Sequence, residues 1–463
     1  MSGLKTVSPV DGRVVVERAL HTRTDVERTL QEAQRAQREW AHTPLATRVQ
    51  IVEHAVTHFV SHGAAIAEEI TWQMGRPLAH SPGEVRGFEE RARAMLELAA
   101  TALAPIEPAP KPGLRRRIER VPLGVVAVVA PWNYPYLTAV NAVIPALVAG
   151  NAVVLKHSHQ TPLCAERFQA AFDHAGVPAG VFSHLHLSHA DTSTLMADPR
   201  VAHVACTGSV SGGRAVVQAI GAGFATAGLE LGGKDAAYVR ADAHLPAAID
   251  TLTDGAFYNA GQSCCGIKRV YVHHSKMDEF VDGVVALTHR YTLGNPLDPA
   301  TTLGPVVRAA AADALRDQVK AAVGAGAQQL IRSSQFADGG VGSPYLAPQV
   351  LINVHQAMPI VREESFGPVL TILSVRDDDE AIEWINDSDF GLTSAIFSQD
   401  LERANALAMR CETGTVFVNR CDYLDPYLSW TGYKQSGRGA TLSVVGYEQL
   451  TKPHSIHIKE LSL

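Results

Sequence analysis

Cys264 sits in Asn259-Ala260-Gly261-Gln262-Ser263-Cys264-Cys265, and Glu230 opens Glu230-Leu231-Gly232-Gly233-Lys234. A thiol among small, backbone-permissive residues can reach a carbonyl carbon, and a carboxylate in a glycine-rich stretch can activate water against the thioester that forms. A single cysteine is more often inert packing than nucleophile, so the pair needs company. Asn133, in Ala130-Pro131-Trp132-Asn133-Tyr134-Pro135, is an amide held between prolines at the end of an apolar run. Such a group suits an oxyanion donor, whose value lies in being placed beforehand. The turn Thr207-Gly208-Ser209-Val210-Ser211-Gly212-Gly213 follows a second apolar run and opens a helical pattern. Glycines there admit a pyrophosphate to the N–H groups of a helix start. Lys156 ends a third run, where its cation can meet hydroxyls or phosphate, and Glu363-Glu364-Ser365-Phe366-Gly367-Pro368-Val369 adds another carboxylate. A glycine-rich stretch, residues 432–439, follows the aromatics Tyr423, Tyr427 and Trp430. Each of these, taken singly, is compatible with an ordinary turn, surface or core.

The elements that must position them alternate between short apolar runs and helical spacing. Residues 5–17 read as a strand pair turning at Asp11-Gly12. Thr24 with Glu27 reads as a capping box, and Leu30, Ala33, Gln37 and Trp40 follow at helical spacing. Helix is predicted over 45–74 and 83–103, ended by a linker with Pro105, Pro108, Pro110 and Pro112. Runs 123–129, 152–155, 201–206 and 236–239 read as strands buried on both faces, with helices over 161–174 and 213–220 between them. That alternation argues for an α/β fold with a parallel, doubly wound sheet. A second α/β unit begins after Gly233, with helices over 245–259, 309–324 and 401–410. Its strands are 269–272, 329–331, 369–375, 395–397 and 415–419. The tail 455–459 alternates as a strand does.

At 463 residues the chain suggests about three domains. Hydrophobic content of 46% with 19% charge fits a compact globule, not a disordered chain. The formal net charge of −7 argues against nucleic acid as partner. The basic cluster Arg115-Arg116-Arg117-Ile118-Glu119-Arg120 reads as a solvated strand or subunit contact. Six cysteines without C-x-x-C spacing suit neither a disulfide framework nor a metal site, and none is expected. Residues 121–155 carry no charge, yet Pro131, Asn133, Pro135, Asn141, Pro145, Gly150 and Asn151 interrupt them. They read as strand, loop, helix and strand, not as a membrane span. Residues 1–12 lack a signal pattern, so the expectation is a cytoplasmic protein with no membrane partner.

In this order and spacing the motifs resemble the aldehyde dehydrogenase superfamily, of the non-acylating NAD(P)-dependent type. The resemblance runs from Ser8-Pro9-Val10-Asp11-Gly12 to the terminal strand. It implies oxidation of an aldehyde to a carboxylic acid through a thiohemiacetal and a thioester, with Cys264 as nucleophile. Glu230 matches the general base and Asn133 the oxyanion amide. Trp132, Lys156, His159, Gly208 and Ser209 match cofactor positions, as do Gly213, Leu231, Glu364 and Phe366. Lys156 and Glu364 fall at the adenosine-side and nicotinamide-side riboses. Tyr134, Tyr258, Ser263, Cys265, Tyr423 and Trp430 match the substrate tunnel. The subunit implied has a Rossmann-like cofactor domain (1–104 and 123–232), a catalytic domain (233–445) and a small β arm (105–122 and 446–463). The arm implies a homodimer or homotetramer.

Three departures stand out. Where the family commonly has K-P-x-E, this chain reads Lys156-His157-Ser158-His159, which removes a carboxylate that repels a 2′-phosphate. NADP+ is therefore an alternative to NAD+. Gly212 replaces an apolar residue and is expected to loosen the helix start. The family's P-F-G-G reads Ser429-Trp430-Thr431-Gly432, beside the tunnel. A CoA-acylating semialdehyde dehydrogenase, or an idle or thioesterase relative, are the rival readings. For substrate, the aromatics Tyr134, Tyr258, Tyr423, Tyr427 and Trp430 suggest aromatic or medium-chain aldehydes, and Asp422 and Asp425 a cationic aminoaldehyde.

Overall fold

The apolar runs after the proline-rich linker become largely buried strands. In the computed structural model, which describes residues 3–460, Val125–Ala130, Ala152–His157, Phe182–His184, Val201–Thr207 and Thr226–Glu230 form one parallel sheet. Gly437–Arg438 closes its edge, antiparallel to Thr226–Glu230. Alternate side chains serve alternate faces. Val126, Val128, Val153 and Leu155 pack on the helices Leu45–Ser61, Pro82–Ala102, Pro135–Val148 and Leu163–His174. Val125, Ala127, Ala152 and Val154 pack on Arg23–His42, His189–Ala197 and Val210–Ile220. The chain steps outward from Val125–Ala130 in one direction, then returns with Val201–Thr207 on its other side. That reversal opens a crevice at the carboxyl ends of the two strands, where open parallel sheets bind ligands.

A second sheet runs Gln328–Gln329, Gln349–Ile352, Val369–Val375, Ile267–His273, Asp235–Val239, Thr393–Phe397, Thr415–Val418. The run 236–239, grouped above with the first sheet, belongs here: it lies between Ile267–His273 and Thr393–Phe397. Apolar character cannot tell which of two sheets a strand joins. Leu114–Pro122 pairs antiparallel with Thr451–Lys459 as a separate ribbon. Its arginines are solvated or paired locally, Arg115 with Glu460 and Arg117 with Glu119. The last three residues of the arm's range lie outside the described residues. No described helix is long and apolar enough to cross a membrane, and residues 121–155 are interrupted as their prolines require.

Local differences have local causes. The capping box uses Thr22 and Asp25, not Thr24 and Glu27: the Thr22 hydroxyl takes Asp25 N–H while Asp25 reaches back to Thr22 N at 2.8 Å. The helix predicted over 45–74 breaks at His62, and Gly63 starts the next, against Val85. The strand Thr226–Glu230 was missing from the sequence reading, because its alternation is diluted by Gly228.

Asn151 joins the sheet to the end of the chain. Fully buried, it accepts from Leu123 N (2.7 Å) and Gly124 N (3.0 Å) and donates to Ala146 O (3.1 Å) and Leu450 O (3.0 Å). All four hydrogen-bonding positions of the amide are used. Asn151→Ala leaves buried backbone groups unpaired, at about 1–3 kcal/mol for a group so orphaned. Thermal unfolding of this variant is expected several degrees below the parent. An unchanged melting temperature would show that water replaces the amide.

Candidate active site

The loop that leads to Cys264 is bent by three successive left-handed residues. After the helix Leu245–Phe257, Asn259 (φ 53°), Ala260 (φ 54°) and Gly261 (φ 66°) follow one another. For Ala260 that conformation costs roughly 1–2 kcal/mol, so the surroundings must impose it. A Cβ at Gly261 would overlap the Gly367 carbonyl. Lys268 Nζ donates to Gly261 O (2.7 Å) and Gly367 O (2.8 Å), and Arg76 Nε donates to Asn259 Oδ1 (3.1 Å). The turn delivers Cys264, half-buried, to the wall of a cavity of about 1010 Å³.

The two neighbouring thiols differ sharply. Cys265 is buried and donates through Sγ to Asp422 Oδ1 at 2.9 Å, beside the Ser263 hydroxyl at 3.2 Å. Its hydrogen bond with Cys264, burial and the Asp422 charge push its pKa well up. Burial raises Asp422 to about 6, against the pull of those two donors. Cys265 is therefore held as a thiol by Asp422 and burial.

Glu230 ends its strand with both oxygens engaged, Oε1 by the Thr441 hydroxyl (2.5 Å) and Oε2 by the Thr207 hydroxyl (3.0 Å). Burial raises its pKa, partly offset by these threonines, Arg91 and Asn141. The glycines after it are required by close approach. A Cβ at Gly232 would stand 2.7 Å from the Glu364 carboxyl carbon, and one at Gly233 would overlap the Cys264 carbonyl. Asn133, 6% exposed, does not line the cavity. One of its amide hydrogens goes to Gln262 O at 3.1 Å, while the other, like the Cys264 backbone N–H, reaches no described residue.

In the crevice, Ser209 caps the helix Val210–Ile220 by accepting from Gly212 N at 3.1 Å. This cap holds one N–H of the helix start, at Gly212 itself. Gly213 is small because a Cβ there would meet Leu231 Cδ1 at 2.6 Å, whereas Gly208 faces open space. Glu364 accepts from Gly233 N at 3.2 Å, and Trp132 meets Phe366 edge-on. Lys156 is 6% exposed and hydrogen-bonds to no described residue; burial lowers its pKa. An orphaned amine, an open glycine and a free helix start fit a dinucleotide. His159 is half-buried, with Nε2 on Leu187 O at 2.7 Å, and burial lowers its pKa. That direction works against a protonated ring attracting a phosphate; the missing carboxylate remains.

Tyr134, Tyr258, Ser263, Tyr423 and Trp430 line the cavity with Cys264, Cys265 and Glu230. Tyr427 does not: it is 51% exposed, its hydroxyl on Glu97. Asp425 also stands outside, where it accepts from Tyr427 N. The sequence reading missed Arg76, Glu84, Arg91 and Thr441, single polar residues whose spacing carries no motif. No group of described residues is arranged to hold a metal ion.

The profile of the aldehyde dehydrogenase family matches residues 2–456. The chain belongs to that family and is an NAD(P)+-dependent oxidoreductase acting on aldehydes. It is 34% identical to a succinate-semialdehyde dehydrogenase [NADP(+)] of Deinococcus radiodurans, covering 96% of this chain and 93% of that one. It is 33% identical to a succinate semialdehyde dehydrogenase [NAD(P)+] of Escherichia coli, covering 92% and 91%. The solved succinic semialdehyde dehydrogenase of Streptococcus pyogenes, in complex with NADP+, superposes with a TM-score of 0.94 at 30% identity, over 98% of this chain and 100% of that one.

The thiol contrast can be checked directly. Brief iodoacetamide treatment of the folded protein should label the 264–265 peptide at Cys264 and leave Cys265 unmodified, read by fragment mass spectrometry. Equal labelling would mean that Asp422 does not hold the Cys265 proton.

Proposed function

We propose that Cys264, Glu230 and Asn133 carry the oxidation. Cys264 Sγ, as thiolate, forms a bond to the aldehyde carbon, and the carbonyl oxygen becomes an oxyanion. The free Asn133 amide hydrogen and the Cys264 N–H donate to that oxygen, and neither has to leave a protein partner to do so. The nicotinamide ring, when bound, supplies the acceptor for the hydride whose departure leaves the thioester. Glu230 then takes a proton from water; the water oxygen bonds to the acyl carbon and Cys264 leaves as thiolate. The observation that carries this reading is the Glu230 carboxylate on the same cavity wall as Cys264, oriented by Thr207 and Thr441. It favours release by water over release by CoA.

Lys156 and Glu364 would hold the two riboses, Gly208, Ser209 and Gly213 the pyrophosphate turn, and Trp132, Leu231 and Phe366 the walls around them. The first sheet with its helices is the cofactor unit and the second sheet the catalytic unit. The ribbon of Leu114–Pro122 with Thr451–Lys459 is the oligomerisation arm; its one-sided pairing and its exposure in the single chain support that assignment.

Glu230→Gln should slow thioester hydrolysis by roughly 10²–10⁴-fold, the usual worth of a general base. A burst of reduced cofactor, a slow steady state and an acyl-enzyme adduct on Cys264 by mass spectrometry are expected. In the parent enzyme, turnover is retained above the Glu230 pKa and lost as pH falls through it. Because burial raises that pKa, the acid limb should begin above the range of an ordinary glutamate. Normal steady-state turnover in the variant would remove Glu230 from the mechanism.

His159→Glu should weaken NADP+ by at least about tenfold relative to NAD+, since a like-charge contact costs several kcal/mol. Binding of each cofactor, followed by tryptophan fluorescence, tests this. An unchanged ratio would place residue 159 away from the ribose.

A further inference from the structure

Arg91 lies on the helix Pro82–Ala102, 8% exposed, on the cavity wall that Cys264 and Glu230 share. Its Nη1 donates to Leu137 O at 2.6 Å and to Asn141 Oδ1 at 3.3 Å. Its Nε and Nη2 donate to no described residue, and it forms no ion pair with a described carboxylate. Arg48, equally buried, also lacks an ion pair among the described residues and leaves Nη2 unused, but it does not line the cavity; two other buried arginines differ. Arg76 engages all three nitrogens, one of them on Glu84. Arg269 spends all three on carbonyls and the Tyr271 hydroxyl. The acids nearest in charge to Arg91 are taken, Glu84 by Arg76 and Glu230 by two threonines.

On the cavity wall Arg91 thus keeps two N–H-bearing nitrogens that no described residue engages, open to a ligand in the cavity. The unused atoms matter: Nε and Nη2 form one edge of the guanidinium, two parallel N–H groups that match the two oxygens of a carboxylate. Asn141 fixes that edge by holding Nη1 on the opposite side.

We propose that this edge of Arg91 recognises a carboxylate at the far end of the substrate, so that the enzyme takes semialdehydes of dicarboxylic acids. This rests on the aldehyde-oxidation reading above and names the substrate class of that site. The aromatic walls then flank the chain between the two ends, and the cationic aminoaldehyde suggested by Asp422 is disfavoured, since Asp422 is engaged by Cys265 and Ser263.

The test compares kcat/KM for succinate semialdehyde and for its uncharged methyl ester in the parent, Arg91→Met and Arg91→Lys. The parent should prefer the acid. Arg91→Met should lower the acid-to-ester ratio by on the order of 10²-fold, the worth of a desolvated charge pair, and Arg91→Lys should keep part of it. A parent without preference, or an Arg91→Met enzyme whose ratio is unchanged while both substrates slow, overturns the proposal; the second result would show Arg91 acting through Glu230. A second readout does not depend on turnover: succinate should protect Cys264 from iodoacetamide in the parent and not in Arg91→Met. If neither substrate is oxidised, the catalytic reading fails, and protection still decides the role of Arg91.

Discussion

One buried ion pair fixes the geometry on which the site depends. Arg76 Nη1 meets Glu84 Oε2 at 2.5 Å with both side chains almost wholly out of solvent. The remaining nitrogens go to Asn133 O (2.5 Å) and Asn259 Oδ1 (3.1 Å). The other Glu84 oxygen accepts from Tyr136 N and Leu137 N, both at 2.9 Å, at the first turn of the helix Pro135–Val148. A single pair of side chains thus sets the loop of Asn133, the loop that leads to Cys264 and the helix between strand and cavity. Two charges cost much to bury, and here every Arg76 nitrogen and both Glu84 oxygens have a partner. Its value is in position more than in net stability.

The second constraint is absence of side chain at the points where segments meet. Gly232 and Gly233 let the strand carrying Glu230 pass against Glu364 and the Cys264 carbonyl, and Gly261 lets the loop that leads to Cys264 lie on Gly367. Base, thiol and the Glu364 carboxylate therefore converge because backbone, not side chain, fills the space between them. Larger residues at these positions would move chemistry apart by an ångström or more.

The sequence disclosed what repeats or punctuates. Cys264 and Glu230, which share one cavity, stand out in the sequence beside small and glycine residues, and Asn133 and the glycine turn at the ends of apolar runs. The parallel sheet was legible from runs buried on both faces, though not which sheet took residues 236–239. Arg76, Glu84 and Arg91 were not, because one charged residue on a helix looks the same whether it faces water or a buried partner. Tyr427 erred for the opposite reason: an aromatic residue near the tunnel in sequence stands on the surface in space. His159 showed that residue type and ionisation are separate facts, the second set by burial.

Glu230 is held by residues 436–450. Thr441 grips Glu230, Gly437–Arg438 pairs with its strand, Leu231 N donates to Ser436 O, and Leu450 O is tied to Asn151. During synthesis, residues 230 and 264 leave the ribosome long before residues 436–450 do. Until those arrive the edge of the first sheet is open and the carboxylate has one hydroxyl fewer to orient it. Cys264 is thus made early, and Glu230 is fully oriented only once residues 436–450 have followed, so that a chain stalled before them carries both groups without the arrangement they have here.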